Sequence, residues 1–237
     1  MKLRRAVPAA LLLVCAIGFV ALGIWQVDRR AWKHALIDAV ETRSTAAPVA
    51  APLPGVAVSA EGDAYRRVRV TGRFLHDRET LVRAVSDLGS GYWVVTPLDT
   101  GRFTVLVNRG FVPPDRRASA SRAAGNGAGQ VTVTGLLRIT EPEGGFLRSN
   151  DPAAGNWYSR DVAAIAAARG LGDAAPYFID ADAAPNPGGW PKGGLTVLRF
   201  SDNHLGYALT WFALALLSLA AIWLVLRKGA VAPNKDS

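Results

Sequence analysis

Two uncharged stretches bound this chain. From Ala6 to Val27, and again from Leu205 to Leu226, there is no Asp, Glu, Lys or Arg. Each run is 22 residues long. Wound as a helix at about 1.5 Å per residue, either one reaches roughly 33 Å. The hydrocarbon core of a bilayer asks for about 20 apolar residues. A helix satisfies its own backbone hydrogen bonds, which lipid cannot do for it. The pattern predicts two transmembrane helices, one near each end, with a long polar segment between them.

The first run has a competing reading as a cleaved signal peptide, since "MKLRR" gives a basic start. Its apolar stretch is longer than the usual signal core of about 7–15 residues. No clear small-x-small cleavage site precedes Trp25–Gln26, and basic residues follow at once. An uncleaved anchor is the expectation. No arginine-rich amphipathic presequence stands before it, and Ala, Arg and Gly are abundant as in a GC-rich genome, so the expected location is a bacterial plasma (inner) membrane. Lys2, Arg4 and Arg5 precede the first helix, and Arg227, Lys228 and Lys235 follow the second. The positive-inside rule then puts both termini in the cytoplasm. Arg29, Arg30 and Lys33 argue the other way, but they head a long loop, and long loops translocate largely regardless of charge. The segment from Asp28 to His204 is therefore expected outside the cytoplasm.

Between the helices the pattern changes twice. "DRRAWKHALIDAVETR" places Trp32, Leu36 and Val40 four apart, so it continues the first helix outward. "STAAPVAAPLPG" reads as a linker. After Gly62 come strand-like runs: "YRRVRVTGRF", "ETLVRAV", "GYWVVTPL", "FTVLVNRGFV", "VTVTGLL", "PYFID" and "LTVLRF". "SRDVAAIAAARG" is a short helix that Ser159 or Asp161 can cap and Gly170 can end. The stretch from Pro113 to Gln130 is polar and glycine-rich. The expected fold is an α+β membrane protein, with two transmembrane helices flanking an extracytoplasmic antiparallel β-rich domain that carries one or two helices. The boundaries are 1–5 (cytoplasmic N-terminus), 6–27 (first span), 28–62 (helical extension and linker), 63–200 (β-rich domain), 201–226 (second span with a polar N-terminal cap) and 227–237 (cytoplasmic tail).

Chemistry is sparse. The single cysteine, Cys15, lies inside the first apolar run, so a disulfide within the chain and a multi-thiolate metal site are both excluded. One methionine, at position 1, leaves no copper(I) composition. The net charge of +8 comes without a basic-aromatic nucleic-acid motif, so no nucleic acid is expected as a partner. No nucleophile elbow, P-loop, H-E-x-x-H or C-x-x-C occurs. Glu61, Asp77, Glu79, Asp151 and Asp161 nominate no acid–base pair by their spacing. No enzyme is expected. The residue that stands out is His204, at the entrance to the second span in "SDNHLGYALTWFALA". An imidazole there can sit among lipid headgroups and bond water. It can also offer one ring nitrogen to a haem iron while the other donates to a carbonyl or carboxylate. Tyr207, Ala208 and Trp211 share its helix face. Ala208 would leave room for a flat macrocycle walled by the aromatics, although Tyr and Trp also populate interfacial belts.

Over almost its whole length the chain resembles the Surfeit-locus family of cytochrome c oxidase assembly proteins. The resemblance runs through "LGIWQVDRRAWK", "GYWVVTPL", "LVNRGFVP", "GLLRITEPEGGFLRSNDPAAGNWYSRDVAAIAA", "PYFIDAD" and "NHLGYALTWFALA" in order. Phe111 stands where the family often has Trp. The resemblance does not extend to 114–130. It implies a non-enzymatic assembly factor that binds haem a transiently and assists its insertion into oxidase subunit I. It implies His204 as the axial iron ligand. Tyr207, Trp211, Trp25 and Gln26 are the further expected cofactor contacts; the last two would lie at a similar depth if both helices span, where they either touch the porphyrin rim or serve as ordinary interfacial residues. Expected partners are cytochrome c oxidase subunit I, haem a synthase and membrane lipid. Arg109 and Arg148 are candidates for propionate or partner contacts, or ordinary surface arginines. A cofactor-free scaffold that steadies the oxidase subunit is the alternative. A periplasmic hydrolase is a third reading, and needs a pocket with a Ser or Asp activated by His76.

Overall fold

The computed structural model describes residues 3–145, 147–198 and 202–227, without the side chains of residues 3 and 4. In chain order the elements are α1 (Leu3–Thr45), β1 (Val49–Ala50), the single turn α2 (Ala60–Asp63), β2 (Arg67–Phe74), β3 (Thr80–Ser86), β4 (Gly89–Asp99), β5 (Thr104–Val112), β6 (Gln130–Ile139), α3 (Val162–Ala168), β7 (Ala174–Ala181) and α4 (His204–Arg227). They form two compact units. One holds α1 up to Ala39 together with α4; the other is Val40–Leu198.

In the helical unit, both α1 and α4 are long and apolar enough to cross a membrane. They face each other in opposite directions. Gln26 meets His204, and Phe19 stacks on Trp211 with ring centroids 5.7 Å apart. Ala16, Gly23, Ala208 and Ala215 are buried. Small residues let two backbones approach closely where lipid offers no hydrophobic drive. A Cβ on Gly23 would lie 2.5 Å from Phe212 Cε1, so the Phe212 ring occupies the space that the glycine leaves. The face of Ala208 is therefore closed by helix packing and is not the open space expected for a macrocycle.

In the second unit the seven strands among the described residues form one sheet, ordered β1-β2-β6-β7-β5-β4-β3. An additional pairing of β2 with β4, Arg73 opposite Asp99 and Phe74 opposite Leu98, closes β2-β6-β7-β5-β4 into a ring. The sheet is not wholly antiparallel. β5 and β7 run parallel, as do β1 and β2. Parallel neighbours need a long crossover, and the chain between β5 and β7 supplies one through β6 and α3. The linker contributes more than a spacer: Val49 and Ala50 pair with β2, and Tyr177 Oη donates to the Pro52 carbonyl at 2.5 Å. "LTVLRF" is not a strand over 195–198, and Arg199 and Phe200 lie outside the described residues.

Alternation along the strands makes two cores. Val105, Val107, Tyr177 and Ile179 join one cluster with Val68, Leu98 and Leu137. Leu106 and Phe178, pointing the other way, join Trp157, Val162 and Ile165. The period of two puts successive side chains on opposite faces, and α3 covers the second face. Asp161 caps α3, accepting from the Ala164 N–H at 3.1 Å. Gly170, with φ +63°, turns the chain after it.

One carboxylate organises the charged part of this domain. Asp180 on β7 is buried and accepts from Asn108 Nδ2 at 2.8 Å, Arg138 Nη1 at 2.5 Å, Arg160 Nη1 at 3.1 Å and Thr196 Oγ1 at 3.0 Å. Glu141 takes the other side of Arg160, at 2.6 and 3.0 Å. Removing one member of a buried charged network strands its partners. Asp180→Ala is therefore expected to cost about 3–5 kcal/mol of folding free energy, read as a fall in the denaturation midpoint of the purified chain followed by near-ultraviolet circular dichroism.

Candidate functional site

The polar end of the helix pair is built by helical spacing. Gln26, Arg30 and His34 recur every four residues on α1, so they share one face, and each meets the start of α4. His34 Nε2 is 2.6 Å from Asp202 Oδ2, and Arg30 Nε is 3.4 Å from the same oxygen, an ion pair without hydrogen-bond geometry. The other oxygen of Asp202 accepts from the His204 backbone N–H at 3.0 Å. That bond satisfies one of the donors that a helix start leaves free. The hydrogen bond with His34 and then that from the His204 backbone hold the Asp202 carboxyl below the usual carboxylate range.

These contacts fix the base of His204, and Gln26 fixes its ring. Gln26 Oε1 lies 2.7 Å from His204 Nδ1. An amide oxygen only accepts, so Nδ1 carries the proton and donates. The neutral ring then has its lone pair on Nε2. No other described residue bonds this ring. The His204 ring is half-buried and oriented through Nδ1, and its Nε2 has no partner among the described residues.

The structure divides the remaining candidates. Trp25 and Tyr207 are 55% and 57% exposed. Trp25 precedes Gln26 on α1 and Tyr207 lies one turn beyond His204 on α4; both are largely exposed in the helical unit. Trp211 is stacked on Phe19 and serves the helix contact. Arg148 is exposed over the Tyr158 ring, 5.4 Å from its centroid. Arg30, His34 and Asp202 are not among the cofactor contacts expected from the sequence, where Arg30 counts only toward topology and His34 is too far from the other histidines to form a cluster with them. The 26-30-34 spacing was the available signal, once α1 was known to continue past the apolar run.

Arg109 is not a surface residue. It is 5% exposed, over the Phe74 ring, and donates to the Gly125 carbonyl, to Asn126 Oδ1 at 2.9 Å and to His76 Nδ1 at 3.3 Å. The segment 114–130 supplies Gly125 and Asn126. Two short 3₁₀ turns, Pro114–Arg116 and Ser119–Gly125, order part of it. It also buries Arg122, which grips both oxygens of Glu79. Burial, and then the neighbouring Arg109 cation, push the His76 imidazolium below the usual histidine range. His76 Nε2 lies 3.2 Å from the Gly127 carbonyl, and its Nδ1 faces Arg109. With both nitrogens so engaged, the ring activates neither a serine nor an aspartate among the described residues, and the hydrolase reading loses its base.

The sequence model of the SURF1 family matches residues 13–216, which include the β-domain and part of each long helix. Surfeit locus protein 1 of Mus musculus is 40% identical over 222 residues, 86% of this chain and 70% of the relative. Surfeit locus protein 1 of Homo sapiens is 38% identical over 223 residues, 86% and 72% respectively. A SURF1-like protein of Monosiga brevicollis is 38% identical over 235 residues, covering 92% of this chain and 87% of its own.

Two outcomes are expected. Gln26→Leu removes the acceptor of the Nδ1 proton. Nitrogen NMR of the labelled ring should show the single Nδ1–H tautomer of His204 in the parent give way to a tautomer mixture. For His76 the sign follows from linkage. Its folded value is depressed, so the unfolded chain binds the proton first as pH falls through about 6.5, and stability declines below that point. Denaturation midpoints compared at about pH 7.5 and 5.5 should fall more for the parent than for His76→Asn.

Proposed function

Because this chain belongs to the SURF1 family, whose proteins act in cytochrome c oxidase assembly, we propose that it binds haem a through His204 and assists its insertion into subunit I of a haem-copper oxidase. The observation that carries the reading is the His204 ring itself: Nδ1 is held by Gln26 Oε1 at 2.7 Å, and Nε2 has no partner among the described residues. The donor set fits a haem ligand, since a neutral imidazole with an oriented N–H and a free nitrogen is what iron takes. Haem a, if bound, would supply an iron centre, and the His204 imidazole is the residue that would hold it.

The protein's own part is to present and release. Gln26 orients the ring, and Asp202, tied to Arg30 and His34, anchors the helix start that carries it. One histidine on a short side chain, rather than a closed pair of ligands, suits a cofactor that has to be passed on. Trp25 and Tyr207 offer exposed aromatic faces beside the ring. Ala208 and Trp211 hold the helices together and define the inner limit of the site.

Subunit I is the proposed recipient and haem a synthase the proposed source, with the β-domain as the surface that meets them. The protein acts as a carrier and performs no catalysis of its own. Its proposed setting is a bacterial plasma membrane, with both ends in the cytoplasm, the β-domain outside and the helices in contact with lipid. The length and apolar character of α1 and α4 support the membrane part of this reading.

The test is spectroscopic. The full chain is produced with a supply of haem a, purified in detergent and compared with His204→Ala. The parent should show haem a absorption, and the variant should lose it or shift its ligation. Equal spectra would move the ligand to another residue. A folded parent without haem would favour a scaffold that binds no cofactor.

A further inference from the structure

The β-domain holds a cation with no carboxylate of its own. Arg109, Arg122 and Glu79 lie close enough to act on one another's ionisation, and Glu79 is engaged by Arg122 in a two-oxygen clasp. His76 is the fourth titratable group here, and it is turned toward its neutral form by burial and by Arg109. Two guanidinium groups therefore share one carboxylate, and the excess positive charge rests on Arg109. Burial lowers the Arg109 pKa to about 10, so the side chain stays charged at neutral pH. A buried charge is costly unless it is paired or fully hydrogen-bonded. Arg109 has neutral partners only: a carbonyl, an amide oxygen and a ring nitrogen. A guanidinium has five N–H groups. Nη1 uses both of its own, Nη2 uses one, and the Nε–H and one Nη2–H have no partner among the described residues.

Arg109 lines a cavity of about 310 Å³. Phe74 and Val133 give it apolar walls, while Thr134 and Ala184 also line it and Ala184 is exposed. A mostly apolar pocket with a few convergent polar groups, here Arg109 with Thr132, Thr134, Asp182 and Asn186 on the lining, is the common form of a small-molecule site, and this volume stands at the low end of the usual range of about 300–1,000 Å³. Asp182 also borders the cavity, but its carboxylate is taken by Arg67 at 2.7 Å.

We propose that this cavity is a binding site for a small monocarboxylate with an apolar body, anchored on the free N–H groups of Arg109. The excess charge calls for one negative charge. The planar guanidinium matches the two oxygens of a carboxylate. The cavity size calls for an aromatic ring or a short chain rather than a macrocycle. The site belongs to the β-domain alone and does not rest on haem binding at His204.

The probe is 4-fluorobenzoate, followed by fluorine NMR with the full chain in lipid nanodiscs and with empty nanodiscs as the blank. 4-Fluorobenzyl alcohol serves as the uncharged analogue, and inorganic phosphate as an anion without an apolar body. Saturable binding of the benzoate is expected, with the alcohol weaker by roughly tenfold or more, as for the loss of a hydrogen-bonded charge. Arg109→Gln should weaken the benzoate by a similar factor. Ala184→Trp, at an exposed position, should block entry without disturbing the fold, and it carries the test alone if the arginine variant does not fold. The proposal is overturned if no saturable binding is seen at millimolar benzoate, if the alcohol binds as well, or if binding survives either folded variant. Tighter binding of phosphate would overturn the assignment to a carboxylate.

Discussion

The two apolar helices can meet only where their side chains are small. Two helices long and apolar enough to cross a membrane would gain little there beyond packing and hydrogen bonding, so the contact depends on close fit. Gly23 leaves the space that Phe212 fills, and Ala16, Ala208 and Ala215 are buried along the two helices. Everything at the polar end follows from this seam. With the helices held in opposite directions, residues 26, 30 and 34 come level with residues 204 and 202. A histidine that its own helix would leave free to rotate acquires a fixed hydrogen-bond partner from the other. The chemistry at His204 is in this sense a product of residues one to three turns deeper, none of which is polar.

Much of this was legible in the sequence because it obeys simple periods. The two spans are uninterrupted apolar runs. Strands β2 to β7 each announce themselves by β-branched and aromatic residues between turn formers, and Asp161 is the right residue in the right place to start α3. His204 stands out in the motif "NHLGYALTW" by its position at the start of an apolar run, and the structure adds the hydrogen bond to Gln26. What could not be read is what depends on contact between distant segments. The ring closure between β2 and β4, and the parallel pairing of β5 with β7, have no local signature. Ala208 looked like open space because a small side chain in sequence does not say whether its surroundings are empty or packed. For Arg109 the sequence left a propionate or partner contact and an ordinary surface position both open, because burial of a cation is arranged by its neighbours, here by Gly125 and Asn126, more than 15 positions away.

The β-domain treats its two charge clusters differently. Around Asp180 the count is even, with Arg138 and Arg160 answered by Asp180 and Glu141, and every group has a close partner. Around Glu79 the count is odd. Balanced networks are a means of fixing strands against one another. An odd charge beside a cavity is a cost that folding alone does not explain.

The segment 114–130, which joins β5 to β6, has the composition of a surface loop. Yet Arg122 reaches back to Glu79, and Gly125 and Asn126 hold Arg109. Its length and content are thus tied to residues some 40 positions earlier in the chain. Losing Arg122 would leave Glu79 a half-buried carboxylate without its guanidinium, beside the His76 and Arg109 that the same segment engages through Gly125, Asn126 and Gly127. The length of a polar, glycine-rich connection is thus tied to the charge balance around Glu79 and Arg109.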